Sequence, residues 1–427
     1  TNKRKLEVMK KWAEIGKKAD ITLYTWEYLF HNFPNFPMPV MYQFPTNYRM
    51  YYELGFKGCF VENELGAISD FWCCNQWMLH KYLENPYLDF EKTLGDFLTK
   101  YYGAAAEAIR TYLDMANELC RQSGMRVLLA QTCSNWNYIT PQFVQKGLAL
   151  FGKAFDAVKG NAVFEQRVRE ASLALYRVIA IKQDDLIRSM KLHHLQFPLP
   201  TAYEASVKVL ECLKEIREKY AFRMGVTSVH EDQFLLRHIQ NETELFSRLM
   251  NAREEMSSVP EMLGEVEAED IYSISAYKIV RYFSTQDNVV EENDEESDSG
   301  IVLRYRASAL DFTDALVDVS QWRLSIVLAR DGQAQRAMQI SKEQLEGGGY
   351  RWFSLLNISD INLTSNSCLY VRNVEGLSIQ LSPIQEFFPF KKCDIYVSVA
   401  AKGHSFGGHP QEDDGFCFDR FVIVRRE

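Results

Sequence analysis

The hydrophobic period changes twice along this chain, and those changes constrain its fold more than any other feature. Residues 1–100 alternate short apolar runs with helical spacing, residues 86–255 keep only the helical spacing, and past Pro260 the period becomes two. A single-layer fold is excluded. The pattern asks for an α/β part, an all-α part and an all-β part in sequence.

In the first part, Lys3–Lys18 reads as a charged helix with Leu6, Met9, Trp12, Ala13 and Ile15 available to face a core. Ile21–Trp26 and Gly58–Val61 read as short buried strands, and their starts lie 37 residues apart. That spacing suits a βα repeat of a parallel sheet or barrel. Between them, Asn47–Leu54 is expected to be a helix closed by Gly55. Beyond them, Asp89 can cap a helix carrying Phe90, Leu94, Phe97, Leu98 and Tyr101, and Ile109, Leu113, Ala116 and Cys120 mark the next stripe. A third stripe runs Phe164, Val168, Ala171, Leu175, Val178 and Lys182 toward His193-His194, and Ser206–Tyr220 and Phe234–Glu255 supply two more helices. The last part offers short strand candidates at Ile301–Ser308, Trp322–Ala329, Arg336–Ser341, Tyr350–Leu356, Cys368–Arg372, Leu377–Ser382, Asp394–Ala401 and Phe416–Arg425, which suggests a sandwich or jelly roll. Glu291–Asp298, six acids in eight residues, reads as a solvated loop or linker at the boundary.

Composition removes several function classes. Lys+Arg 48 against Asp+Glu 57 gives a net charge of -9, with no dense basic block, so nucleic acid is not expected as the main partner. No run approaches the ~18–20 apolar residues that span a bilayer. The nine cysteines show neither C-x-x-C pairs nor a disulfide ladder and do not fix the compartment. The N-terminus carries charges where a signal peptide would be apolar, and the chain lacks an initiator Met, as a fragment or processed form would.

Chemistry in parallel α/β folds gathers at the carboxyl ends of strands. Here those ends carry Trp26-Glu27-Tyr28 and Glu62-Asn63-Glu64. Carboxylates accept hydroxyl protons and an aromatic ring covers the apolar face of a sugar, so the cluster suits a polyhydroxylated ligand. A glycosidase further needs two carboxyls, one protonated and one ionised. The competing reading makes Glu27 and Glu64 solvated loop acids and Trp26 a packing residue. Trp72, Cys73, Cys74 and Trp77 open the next helix; burial is the simpler account, an aromatic platform the functional one, and zinc lacks ligands at the required spacing. Gly403-His404-Ser405-Phe406-Gly407 matches a nucleophile elbow formally but sits among antiparallel-type strands, so it reads as a turn. Asp294, Glu296, Asp298 and Gly300 resemble a calcium loop with the glycine one place late. His193-His194 reads as a helix-end pair. No dinucleotide or Walker A fingerprint is present.

The run Met50–Glu62, then Leu79–Pro86 and Asp96–Ala105, resembles bacterial glycoside-hydrolase-like proteins carrying the domain of unknown function numbered 4838, which are related to hexosaminidase-like and α-glucuronidase-like barrels. Asp394–Val399 with Phe418–Val424 is similar to the C-terminal sandwich of such proteins. The resemblance covers residues 1–125 and, more thinly, 390–427. It implies the C-terminal portion of a (β/α)8-type barrel over 1–125, a helical layer over 126–260, and a carbohydrate-module-like jelly roll over 265–427. It further implies a bacterial, secreted or periplasmic protein acting on a poly- or oligosaccharide by carboxylate chemistry at the barrel mouth. By this analogy Trp26 lines the sugar pocket and Glu62 or Glu64 bonds substrate hydroxyls; Glu62 is the catalytic candidate, with Trp26, Glu27, Tyr28, Asn63, Glu64 and Trp72 as the substrate-binding set. The competing class is a non-catalytic glycan-binding or structural module. No cofactor is expected beyond a structural calcium in the β part. The catalytic acid pair of hexosaminidase-like barrels lies on an earlier strand, with no counterpart here. A full barrel takes ~250 residues, about twice the α/β share of this chain, so the sequence reads as truncated and the missing barrel strands as a partner.

Overall fold

The computed structural model describes residues 2–28, 36–62, 66–124, 137–221, 229–251, 256–267, 270–276, 289–306, 323–330, 333–345, 348–357, 367–372, 378–383, 393–402 and 415–426. The Gly403–Gly407 turn lies outside them. The chain divides into two compact units, Thr1–Ile181 with Phe197–Phe246, and Lys182–Gln196 with Ser247–Glu427. The α/β strands and most of the helical layer therefore share one unit. Among the described residues no helix is long and apolar enough to cross a membrane.

The first unit opens with helix α1, Asn2–Ala19. Its end is closed by Asp20 in the left-handed region (φ 51) and by Ile21 N–H donating to the Gly16 carbonyl at 2.8 Å. Residues 21–23 are spent leaving the helix. Strand β1 accordingly covers Tyr24–Tyr28 rather than the Ile21–Trp26 read from the apolar run. Helix α2 spans Phe44–Glu53, with a proline in its first turn and Gly55 at φ 84 behind it. Strand β2, Gly58–Glu62, then pairs with β1 in parallel. The described residues hold this two-stranded parallel sheet and no closed barrel.

Helix α3 (Trp72–Glu84) is followed by α4 (Phe90–Tyr102), whose first turn is capped as expected: Asp89 Oδ1 accepts from Lys92 N at 2.8 Å. Helix α4 buries Leu94, Phe97 and Leu98. Helices α5 (Ala106–Gln122), α6 (Pro141–Val158), α7 (Ala162–Ile181), α9 (Ala202–Ala221) and most of α10 (Val229–Leu249) complete the layer. Ile109, Leu113, Ala116, Val168, Ala171, Leu175 and Val178 are buried, so the 3.6 period located the core faces.

Two helical expectations need correcting. Trp12 and Ile15 do not face a core; they are exposed, and Gly16, with Leu6, Met9 and Ala13 half-buried, forms the inward side of α1. The stripe through Lys182 does not continue as one helix either. It ends at Ile181, and a separate helix α8, Gln183–Leu192, belongs to the second unit. His193 and His194 follow it and are solvated.

The second unit is antiparallel, as the period of two requires. One sheet orders β4 (Val289–Asn293), β5 (Ile301–Arg306), β12 (Gly415–Arg425), β11 (Cys393–Lys402) and β8 (Arg351–Asn357), with β3 (Ile271–Ser275) also pairing β12. The other orders β10 (Ser378–Pro383), β9 (Ser367–Arg372), β6 (Arg323–Arg330) and β7 (Gln333–Ser341). Every strand segment read from the sequence is present, and β3 and β4 are additional. Strand β12 is buried from Gly415 through Val424, which leaves Asp419 and Arg420 inside. Buried charges need partners. Asp419 accepts from Ser299 N at 2.9 Å and Ser299 Oγ at 2.6 Å, and Arg420 Nε pairs with Asp298 Oδ2 at 3.0 Å.

That arrangement overturns the reading of Glu291–Asp298 as a solvated linker. Its first three residues form the end of β4, Asp294 and Ser297 are buried, and Asp298 answers Arg420. Charge density suggested solvent, but the turn supplies the counter-charge that β12 requires.

Candidate functional site

The β1–β2 register pairs Tyr24 with Gly58, Trp26 with Phe60 and, at the last place of both strands, Tyr28 with Glu62. Successive side chains of a strand point to opposite faces. Trp26 and Phe60 therefore share one face, and Glu27 takes the other.

The Trp26 face is aromatic and open. Tyr24, Trp26 and Phe60 are 68 %, 64 % and 57 % exposed. The Trp26 and Phe60 rings meet edge to face, with centroids 4.7 Å apart and an interplanar angle of 63°. The Tyr24 ring lies over Gly58, where a Cβ would stand 2.8 Å from it. Positions 28 and 62 close the same register at the carboxyl end of the sheet. Asn63 and Glu64 lie outside the described residues.

The Glu27 face is covered by α2. Tyr48 OH donates to Glu27 Oε2 at 2.8 Å and Tyr51 OH donates to Glu27 Oε1. Helical spacing brings the two phenols to one carboxylate because residues three apart lie on one side of a helix. Burial first, and after it Glu27 through its charge and its hydrogen bonds, hold both phenols well above their usual titration range. Burial likewise pushes the nearby Cys59 thiol up to about 11. Trp26 and Glu27, adjacent in sequence and read as one patch, thus serve opposite sides of the sheet.

Trp72 begins α3, directly after Phe71, which adopts the left-handed region at φ 46. Trp72 is half-buried and lines a narrow cleft with Ser69, Cys73, Tyr101, Arg167 and Glu170. The free space there, about 20 Å³, is room for one water.

Sequence reasoning missed a buried polar cluster beneath the chain that follows β2. Asp70 is buried, and its Oδ2 accepts from Met38 N at 2.9 Å. Arg177, 1 % exposed, donates to the Ile68 carbonyl at 2.7 Å and to Glu242 Oε2 at 2.9 Å. Tyr138 OH donates to the Pro37 carbonyl. Desolvation raises the Asp70 carboxyl to about 8, although the Met38 N–H and the Arg177 charge pull it down. The available signal was Arg177, a lone cation in the run Leu173–Ile181. Nothing in the local sequence of Asp70 or Glu242 marks them as buried.

The α/β region that carries β1, β2 and Asp70 has a family counterpart. Residues 1–114 match the family model described as Domain of unknown function (DUF4838). The match spans Trp26, Glu27, Tyr28, Glu62, Asn63, Glu64 and Trp72. No curated protein and no solved structure matches the chain.

Proposed function

We propose that this protein engages a poly- or oligosaccharide at the carboxyl end of the β1–β2 sheet, as a portion of a glycoside-hydrolase-like protein. The observation that carries the reading is the exposed Trp26–Phe60 pair, set two register steps before Tyr28 and Glu62. Exposed aromatic patches on a rigid strand frame mark binding surfaces, and a ring face suits the apolar side of a pyranose. In this reading the sheet is a sector of a larger (β/α) barrel whose mouth lies at the carboxyl ends of the strands. Glu62 supplies one carboxylate of an acid/base pair at the barrel mouth, and the setting is secreted or periplasmic.

A second reading, glycan binding without catalysis, is favoured by one feature of the sheet. Glu27, the carboxylate on the paired strand, accepts from two tyrosines on the α2 side, on the face opposite Trp26. Turnover of aryl-glycoside and oligosaccharide panels separates the two. Hydrolysis that falls at least a hundredfold in Glu62→Gln, with binding kept, supports acid/base chemistry; full turnover in that variant removes Glu62 as a catalytic group.

A further inference from the structure

One surface of the first unit is independent of the strand ends. Helix α1 carries seven basic residues against two acidic ones, a net charge of +5 in a chain whose total is -9. Its inward side is already used. Gly16 is buried so closely that a Cβ would stand 2.9 Å from Leu23 Cδ1, and Leu6, Met9 and Ala13 are half-buried. A second apolar strip points out: Val8, Trp12 and Ile15 are 47 %, 57 % and 50 % exposed.

The spacing of that strip is four then three, the alternation of a coiled-coil seam. Arg4, Lys11 and Lys18 recur every seven residues along its edge and are exposed. They take the place that charged residues occupy beside such a seam, where they select the partner. An ion pair of the helix, Lys10 with Glu7 at 3.4 Å, lies away from this edge.

Three occupants could cover an apolar strip of this kind, and the charges choose among them. A second copy of α1 would set one cationic edge against another, which is repulsive. A bilayer surface takes helices whose apolar face is broad and free, whereas half of this face is spent on Gly16, Met9, Ala13 and Leu6. A narrow seam with a single-sign edge suits one partner helix of opposite sign. We infer that α1 is a docking site for an amphipathic α-helix bearing acidic residues along its edge, seated on Val8, Trp12 and Ile15 and paired with Arg4, Lys11 and Lys18. This inference does not rest on the glycan reading.

The test uses the full chain and two synthetic 21-residue helical peptides with leucine at the seam positions. One carries glutamate at the flanking positions, the other lysine, and binding is read by fluorescence anisotropy. The glutamate peptide binds and the lysine peptide does not. The triple variant R4E/K11E/K18E weakens the glutamate peptide about tenfold or more and gains the lysine peptide. Because all three side chains are exposed, its circular dichroism and melting midpoint stay at the parent values. Equal binding of the glutamate peptide by the triple variant overturns the inference, as does no binding of that peptide at all. Binding to phosphatidylglycerol vesicles instead of the peptide, or self-association that Trp12→Ala abolishes, overturns it in favour of a membrane or a second copy.

Discussion

The backbone N–H of Met38 donates to Oδ2 of Asp70 at 2.9 Å, tying the segment after β1 to the segment after β2. The carboxyl is buried and raised to about 8, against an unfolded value near 3.9. Between those values the unfolded chain releases a proton that the folded chain keeps. Stability of the first unit therefore falls as pH rises from about 4 to about 8, by up to ~1.4 kcal/mol per pH unit, and levels off above. Asp70→Asn, which mimics the protonated acid, flattens that slope and raises stability at pH 8. Denaturant melts of both proteins across this range check it, and an unchanged slope in the variant would reject the assignment.

Glu27 depends on two phenols that stay protonated throughout the accessible pH range. Tyr48→Phe and Tyr51→Phe each remove one hydrogen bond to a carboxylate and cost about 1–3 kcal/mol. Loss is expected to be greater for Tyr48, which is buried, than for Tyr51, which is half-buried. Chemical unfolding of the single variants measures both.

Arg177 and Glu242 form a buried pair with side chains 1 % and 10 % exposed. Removing one partner strands the other charge, so Arg177→Met and Glu242→Met each destabilise by about 3–5 kcal/mol. The double variant Arg177→Met/Glu242→Met loses less than the sum of the singles. A double-mutant cycle by equilibrium unfolding provides the number.

The acid-rich turn of the second unit meets its needs from within the protein. Asp294 Oδ1 accepts from Glu296 N at 3.1 Å, its other oxygen accepts from Tyr350 OH, and Asp298 pairs with Arg420. Among the described residues no cluster of histidine, cysteine or carboxylate ligands is arranged for a metal. Asp419→Ala, which orphans the donors of Ser299, is expected to lower the melting transition by several degrees. Scanning calorimetry of the parent chain and the variant measures the shift.

The limits of the sequence reading follow from its physics. Periodicity reports which face of a helix or strand is apolar, and it located the α4, α5 and α7 faces and the strands around β12. It cannot say whether an apolar face is covered, so Trp12 and Ile15 on α1 read as core and are exposed. It places Trp26 and Glu27 side by side in the chain, while the pleat sends them to opposite faces. Partners distant in sequence leave no local trace: Asp70 meets Met38 and Arg177, and the acids before Ser299 serve a strand more than a hundred residues later. Charge density alone therefore misread the Glu291–Asp298 segment.

We propose that the exposed Trp26–Phe60 pair holds a saccharide. Calorimetric titration of the intact chain with neutral, amino-sugar and uronic-acid oligosaccharides tests it most directly. Binding of at least one class, weakened about tenfold by Trp26→Ala with an unchanged melting midpoint, is the predicted result. Equal affinity in the parent chain and in Trp26→Ala, or no binding by any class, would contradict it.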